Sequence, residues 1–197
     1  MTVANPDVVR GLWDHMVAHY DARVMDKADS EDMELVARFL DQLGVMDGET
    51  FLRRYTTTIG RTIYVPFQIG VDQGRHSLHG QVRLCAHEFQ HVVQHIREPG
   101  RYELEYLTDT AARARLEAEA FRSNMELEWF LTGRLLRPMD LADNLVAYAC
   151  TDADVAVAAK ALSMSSRVVS KGGVINEASK VAIAYLEDQG LLSAGRV

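Results

Sequence analysis

Leu84-Cys85-Ala86-His87-Glu88-Phe89-Gln90-His91-Val92-Val93 sets two histidines four residues apart within a largely apolar run. Four residues is about one turn of α-helix, so the two imidazoles stand one above the other on one face and can reach a single ion. Leu84, Ala86, Phe89, Val92 and Val93 supply the flanks of a buried helix rather than of a loop. Neutral imidazole nitrogen is a common zinc ligand, and a glutamate directly after the first histidine can take a proton from water held there. The pattern therefore assigns His87 and His91 as metal ligands, Zn2+ as the cofactor and Glu88 as the general base.

Working outward, the metal helix should run from about 80 to 98 and stop at Pro99-Gly100. Before it, residues 55 to 71 change character. Thr56, Thr57, Thr58 and Ile59 are β-prone, and Ile63, Val65, Phe67 and Ile69 alternate with more polar residues. Pro66 cannot donate to a ladder, which predicts that this strand lies at a sheet edge. An edge there could hold an extended peptide beside the metal by β-augmentation. Asp72-Gln73-Gly74 then turns the chain.

A catalytic zinc needs a third protein ligand and an open fourth position. No histidine follows His95, so the ligand must be an acid from a later helix. A helix predicted from Thr108 to about Thr132, capped by Thr108 or Asp109, offers Glu117 and Glu119. Two residues apart places them roughly 200° apart around the axis. Glu117 shares its face with Ala114, Ala120, Phe121 and Asn124. Glu119 shares the other with Arg115, Arg122, Ser123 and Glu126, which reads as a solvated ladder of four-residue ion pairs. A carboxylate on an apolar face needs a compensating partner, and a metal ion is one. The geometry favours Glu117 over Glu119.

At these residues the chain resembles the gluzincin metallopeptidases, in which H-E-x-x-H is followed by a glutamate on a second helix. Glu117-Ala118-Glu119-Ala120 is similar to the E-x-x-A-D signature of several such families, including the integral-membrane CAAX-type proteases and their soluble relatives. The resemblance covers residues 60 to 125 and implies Glu117 as the third ligand. It also implies a zincin-like fold and hydrolysis of peptide bonds. Phe121 stands where the signature has an aspartate that often orients a ligand histidine, and Asp109 or Glu128 is the candidate substitute.

With 197 residues the chain suits one domain, with a metal-site core at about 55–133 and a helical, alanine-rich part at 139–197 broken near Ser170-Lys171-Gly172-Gly173. Helices are also predicted at 6–22, from Leu12, Trp13, Met16, Val17 and Tyr20, and at 30–43. The second is capped by Ser30, lined by Met33, Leu35, Val36, Phe39 and Leu40, and followed by Gly44. Asp47-Gly48 reads as a turn. The fold expected is mainly α (α+β), with a small sheet.

A net charge of −7 without a basic stripe argues against a nucleic-acid surface. The start of the chain lacks a cationic segment followed by an apolar run, and the longest apolar passage, Val155 to Met164, is broken by Lys160. These features lead to expectations of a cytoplasmic protein with no membrane partner. Cys85 and Cys150 fit buried thiols rather than a disulfide framework or metal knuckle. His15 and His19 read as an exposed pair, and His76 and His79 as polar groups near the site entrance. His95 continues the ligand face. Tyr102 and Tyr106 offer phenols that could donate to a developing oxyanion, and Trp129-Phe130 reads as core. Two functions follow from the motif. One is a zinc-dependent metallopeptidase acting on a peptide or protein substrate. The other is a catalytically inactive, zinc-stabilised binding or structural protein.

Overall fold

A computed structural model describes residues 5–42 and 47–191 of the chain. Gly44 lies outside the described residues, and so do the side chains of Phe39 and Leu40. The order of elements is α1 (Pro6–Tyr20), β1 (Arg23–Asp26), α2 (Glu31–Gln42), α3 (Gly48–Arg54), β2 (Thr57–Ile59), β3 (Thr62–Val65), α4 (Leu78–Arg97), α5 (Arg101–Thr108), α6 (Thr110–Thr132), α7 (Pro138–Asp143), α8 (Asp152–Val169) and α9 (Glu177–Asp188). Short 3-10 turns at Lys27–Asp29 and Asn144–Tyr148 follow β1 and α7. The described residues are thus mainly helical around one small sheet. None of their helices is long and apolar enough to cross a membrane.

Local chemistry sets the helix ends. Asn5 accepts from the Val8 amide and starts α1. The Ser30 hydroxyl accepts from the Met33 amide at the head of α2. Ser77 caps α4 through the Gly80 amide, and Asp109 caps α6 through the amides of Ala111 and Ala112. Asp47-Gly48 is a helix start rather than a turn, because the Asp47 carboxylate accepts from the Thr50 amide and opens α3. Between α4 and α6 the chain forms the extra helix α5, entered through Gly100 at φ 76°, which a side chain would resist.

The sheet corrects the strand expectation. Its order is β1-β3-β2, so the strand that precedes Pro66 is central, with β1 parallel on one side and β2 antiparallel on the other. Pro66 ends β3 instead of marking an edge, and the predicted alternation through Ile69 continues outside the ladder. The edge strand beside α4 is β2. The strand β1, Arg23-Val24-Met25-Asp26, is too short to show alternation and was not expected.

Two apolar clusters hold α4 and α6 in place. Leu12, Trp13 and Met16 of α1, Ile63 and Val65 of β3, Phe89 and Val92 of α4 and Ala182 and Leu186 of α9 form the larger. Phe121 and Met125 of α6, Leu141 and Leu145 and Leu162 and Val169 of α8 form the second. Phe130 belongs to the larger cluster, and Trp129 packs beside the second. Met33, Ala37, Phe51 and Tyr64 make a third, which seats α2 and α3 on the sheet. The helix α6 is buried along much of its length because it touches α4, α8 and α9 together.

Candidate metal centre

The helices α4 and α6 bring His87, His91 and Glu117 to one point. One ligand atom from each lies within 4.8 Å of the others, and all three residues are buried. His87 Nε2 is 3.7 Å from Glu117 Oε2, and His91 Nε2 is 3.5 Å from Glu117 Oε1. These are the three residues that helix phase and motif select. Glu88 lies on the same stretch of α4, 5% exposed, and its Oε2 accepts from the Thr58 hydroxyl of β2 at 2.6 Å.

The donor chemistry suits a divalent cation. Burial, helped by the neighbouring His91, holds the His87 imidazole well below its usual pKa, which keeps it neutral and able to ligate. Glu117 Oε2 is buried without a hydrogen-bond partner. Burial raises the Glu88 carboxyl, and Glu117 adds to the rise; His91, the Thr58 hydroxyl and Lys27 oppose it. Two buried acids placed this close are costly unless a positive charge lies between or beside them. A metal between the two imidazoles and Glu117 would supply that charge and occupy the unpartnered oxygen.

The candidate ligands are held by partners, and most of those were not legible as such. Gln94 Oε1 is 2.9 Å from His91 Nδ1, while Gln94 Nε2 donates to the Leu116 carbonyl at 2.9 Å and to Glu119 at 3.3 Å. This leaves His91 Nε2 facing Glu117, the arrangement a metal ligand needs. Asn124 and the Ala120 backbone of α6 lie against His87 and oppose the fall in its pKa. Neither Asp109 nor Glu128 replaces the aspartate missing at Phe121. Asp109 caps α6, and Glu128 takes ion pairs from His79, Arg83 and Arg134. The Tyr106 hydroxyl donates to Glu117 Oε1 at 2.6 Å, so it holds that carboxylate and is not free for an oxyanion. Tyr102 lines the cavity beside it.

His95 does not join the group; its Nδ1 pairs with Glu103 of α5. His15 and His19 are exposed and stacked on each other, as expected. His79 pairs with Glu128, and His76 stacks on Phe67 with ring centroids 4.5 Å apart. The Glu119 face is not the solvated ladder the spacing predicts. Glu119 accepts from Gln90, Gln94 and Arg97, and Arg115 pairs with Glu105 instead. Glu126 is buried and accepts from the amides of Ile175 and Asn176 just before α9.

Two cavities open on the group. The first, about 520 Å³, is walled by Val36, Phe51, Ile59, Tyr102, Leu107 and Tyr148, and contains His87, Glu88, His91 and Glu117 in its lining. Its Arg113 is spent on backbone, donating to the carbonyls of Tyr106, Leu107 and Tyr148, and so ties α5, α6 and the 3-10 turn after α7 into one wall. The second, about 530 Å³, also has His87 and Glu88 in its lining. Comparison with known proteins adds nothing to this geometry: no family model, curated protein or solved structure matches the chain.

Proposed function

We propose that this chain is a zinc-dependent metallopeptidase of the gluzincin type, with His87, His91 and Glu117 as ligands and Glu88 as the general base. The observation that carries the reading is the convergence of three buried ligand atoms within 4.8 Å beside a buried glutamate, at the junction of two cavities. The zincin-like arrangement belongs to the same proposal: an edge strand, the metal helix and a second helix bearing the last ligand.

Bound zinc supplies an acidified water and polarises the substrate carbonyl. The chain's own residues do the rest. His87 and His91 present ring nitrogens toward Glu117, and Gln94 and Tyr106 keep His91 and Glu117 in place. Glu88 accepts the proton of the attacking water and returns it to the leaving amine. Burial raises its carboxyl, which brings its basicity closer to what shuttling a proton near neutral pH requires. The free edge of β2 offers backbone groups to an extended peptide.

The test combines metal analysis of untagged protein with cleavage of a mixed peptide library followed by mass spectrometry. About one zinc per chain is expected, with cleavage that stops in Glu88→Gln and with chelator. Lack of zinc after incubation with excess metal at neutral pH overturns the site. Zinc binding with no cleavage by either form favours the inactive, zinc-stabilised protein, and equal cleavage by E88Q refutes Glu88 as the base.

A further inference from the structure

The two cavities at the metal group differ in chemistry. The first is walled by aliphatic and aromatic side chains, and its outlying charges are engaged: Arg113 by three carbonyls, Glu103 by His95. The second is lined by Arg54, Arg75 and Arg83, with Glu88 as its one acid among the described residues. Arg54 and Arg75 are exposed and make no ion pair within 4 Å among the described residues, although Arg54 is near enough to Asp47 to lower that carboxyl. Arg83 shares Glu128 with His79 and Arg134, and its Nε is buried without a partner. His76 Nε2, from the same lining, is also buried and unpartnered. His87, Glu88, Tyr55, Thr56, Ala147 and Tyr148 belong to both cavities, so the reacting centre lies where they meet.

A chain lying across such a centre puts one flank in each cavity. We infer that the substrate carries an apolar residue on one side of the scissile bond and a carboxylate on the other, with the apolar residue among Val36, Phe51, Ile59 and Leu107 and the carboxylate among Arg54, Arg75 and Arg83. The inference rests on the peptidase reading and names its substrate class. Guanidinium groups match a carboxylate with two parallel N–H donors, and in a partly enclosed cavity such a contact is stronger than at an open surface. The carboxylate is that of an aspartate or glutamate side chain or of the peptide's C-terminus. The apolar side excludes a charged residue, because no unengaged counter-charge outside the metal group waits there.

The experiment uses zinc-loaded E88Q protein and dansyl-labelled hexapeptides with Leu or Phe beside Asp, Asn or Lys, in both orders, each with a free or an amidated C-terminus. Binding is read by fluorescence anisotropy, and the same peptides are offered to the wild type for cleavage. A peptide with a carboxylate should bind roughly tenfold tighter than its Asn, amidated counterpart, the scale of one hydrogen-bonded charge contact. The Arg54→Ala/Arg75→Ala double variant should bring that ratio close to one, because the carboxylate peptide loses more affinity than the Asn, amidated one. Both arginines are exposed, so the fold should tolerate their loss. The arm that shows the preference, internal Asp or free C-terminus, identifies the source of the carboxylate. Cleavage without carboxylate preference, or a preference that survives in the double variant, overturns the inference and leaves the peptidase reading standing. An arginine-dependent preference without cleavage by the wild type keeps the inference about the chamber and overturns the peptidase reading. No binding by any peptide at millimolar concentration overturns the inference.

Discussion

The Thr58 hydroxyl donates to Glu88 Oε2 over 2.6 Å, joining the free edge of β2 to a buried glutamate of α4. The bond does two things at once. It aims one carboxylate oxygen, leaving the other for a proton, and it fixes how close the edge strand stands to the metal group. It also opposes the rise in the Glu88 pKa that burial causes.

Thr58→Val should therefore keep zinc and fold but lower turnover by roughly tenfold, the scale of a lost hydrogen bond to a charged group. Valine has nearly the same shape and no donor. Thr58→Ser restores the donor and should recover most of the rate. Metal content and peptide cleavage of the three proteins check this. Equal turnover by T58V and the wild type would show that Glu88 is aimed by other contacts, and failure of T58S to recover would mean that the methyl group matters rather than the hydroxyl.

The convergence of His87, His91 and Glu117 was legible where its logic is local. His87, Glu88 and His91 declare themselves by spacing on one helix, and Glu117 follows from helix phase on the next. What the spacing could not show is what covers a face from far along the chain. The Glu119 face read as solvated because its neighbours alternate in charge. In the structure Asn176 donates to the Glu119 carbonyl and to Ser123, across 57 and 53 residues, and Glu126 caps the chain entering α9. Gln94, which lies near the ligand face and reads as bonding backbone, does donate to the Leu116 carbonyl, but the same limit hid its contact to Glu119 and the role of Arg113, whose three carbonyls belong to α5 and to the turn after α7. The alternation around Pro66 suggested a strand, but a proline just past the end of β3 is compatible with a central position, since no ladder hydrogen bond is asked of it.

Glu119 is consequently expected to matter, though less than Glu117. Glu117→Ala removes a ligand and should abolish tight zinc binding. Glu119→Ala removes one acceptor of the Gln94 amide, which the Leu116 carbonyl still holds, and should cost little affinity. Gln94→Leu removes the partner of His91 Nδ1 and should weaken zinc binding by about 10- to 100-fold, as loss of a group that orients a metal ligand does. Competition with a chelating dye gives the order Glu117→Ala, Gln94→Leu, Glu119→Ala from weakest to tightest. If Glu119→Ala strips the metal and Glu117→Ala does not, the ligand assignment is wrong.

Lys27 offers a prediction about stability that does not depend on the metal. It is fully buried, and its Nζ donates to the carbonyls of Phe51 and Tyr55 and to the Thr57 hydroxyl, at 3.1, 2.7 and 2.8 Å. The ammonium also lies 3.4 Å from the centre of the Phe51 ring. These contacts pin the end of α3 and the start of β2, one residue before Thr58. Burial lowers the Lys27 pKa from 10.5 to about 7, with the nearby Glu88 opposing the fall. Between those two values the folded chain binds fewer protons at Lys27 than the unfolded chain does. Stability from this group must then rise with pH from about 7 to about 10.5, and the cost of burying the charge is fully present below 7. Lys27→Met removes the titration and strands three acceptors, for a loss of about 1–3 kcal/mol. Urea unfolding of both proteins at several pH values isolates the effect, because other titrating groups cancel in the difference. The advantage of the wild type over K27M should grow between pH 7 and pH 9.5. A difference that stays flat would mean that the three acceptors and the Phe51 ring hold Lys27 charged throughout, and one that falls would mean that they raise its pKa in spite of burial.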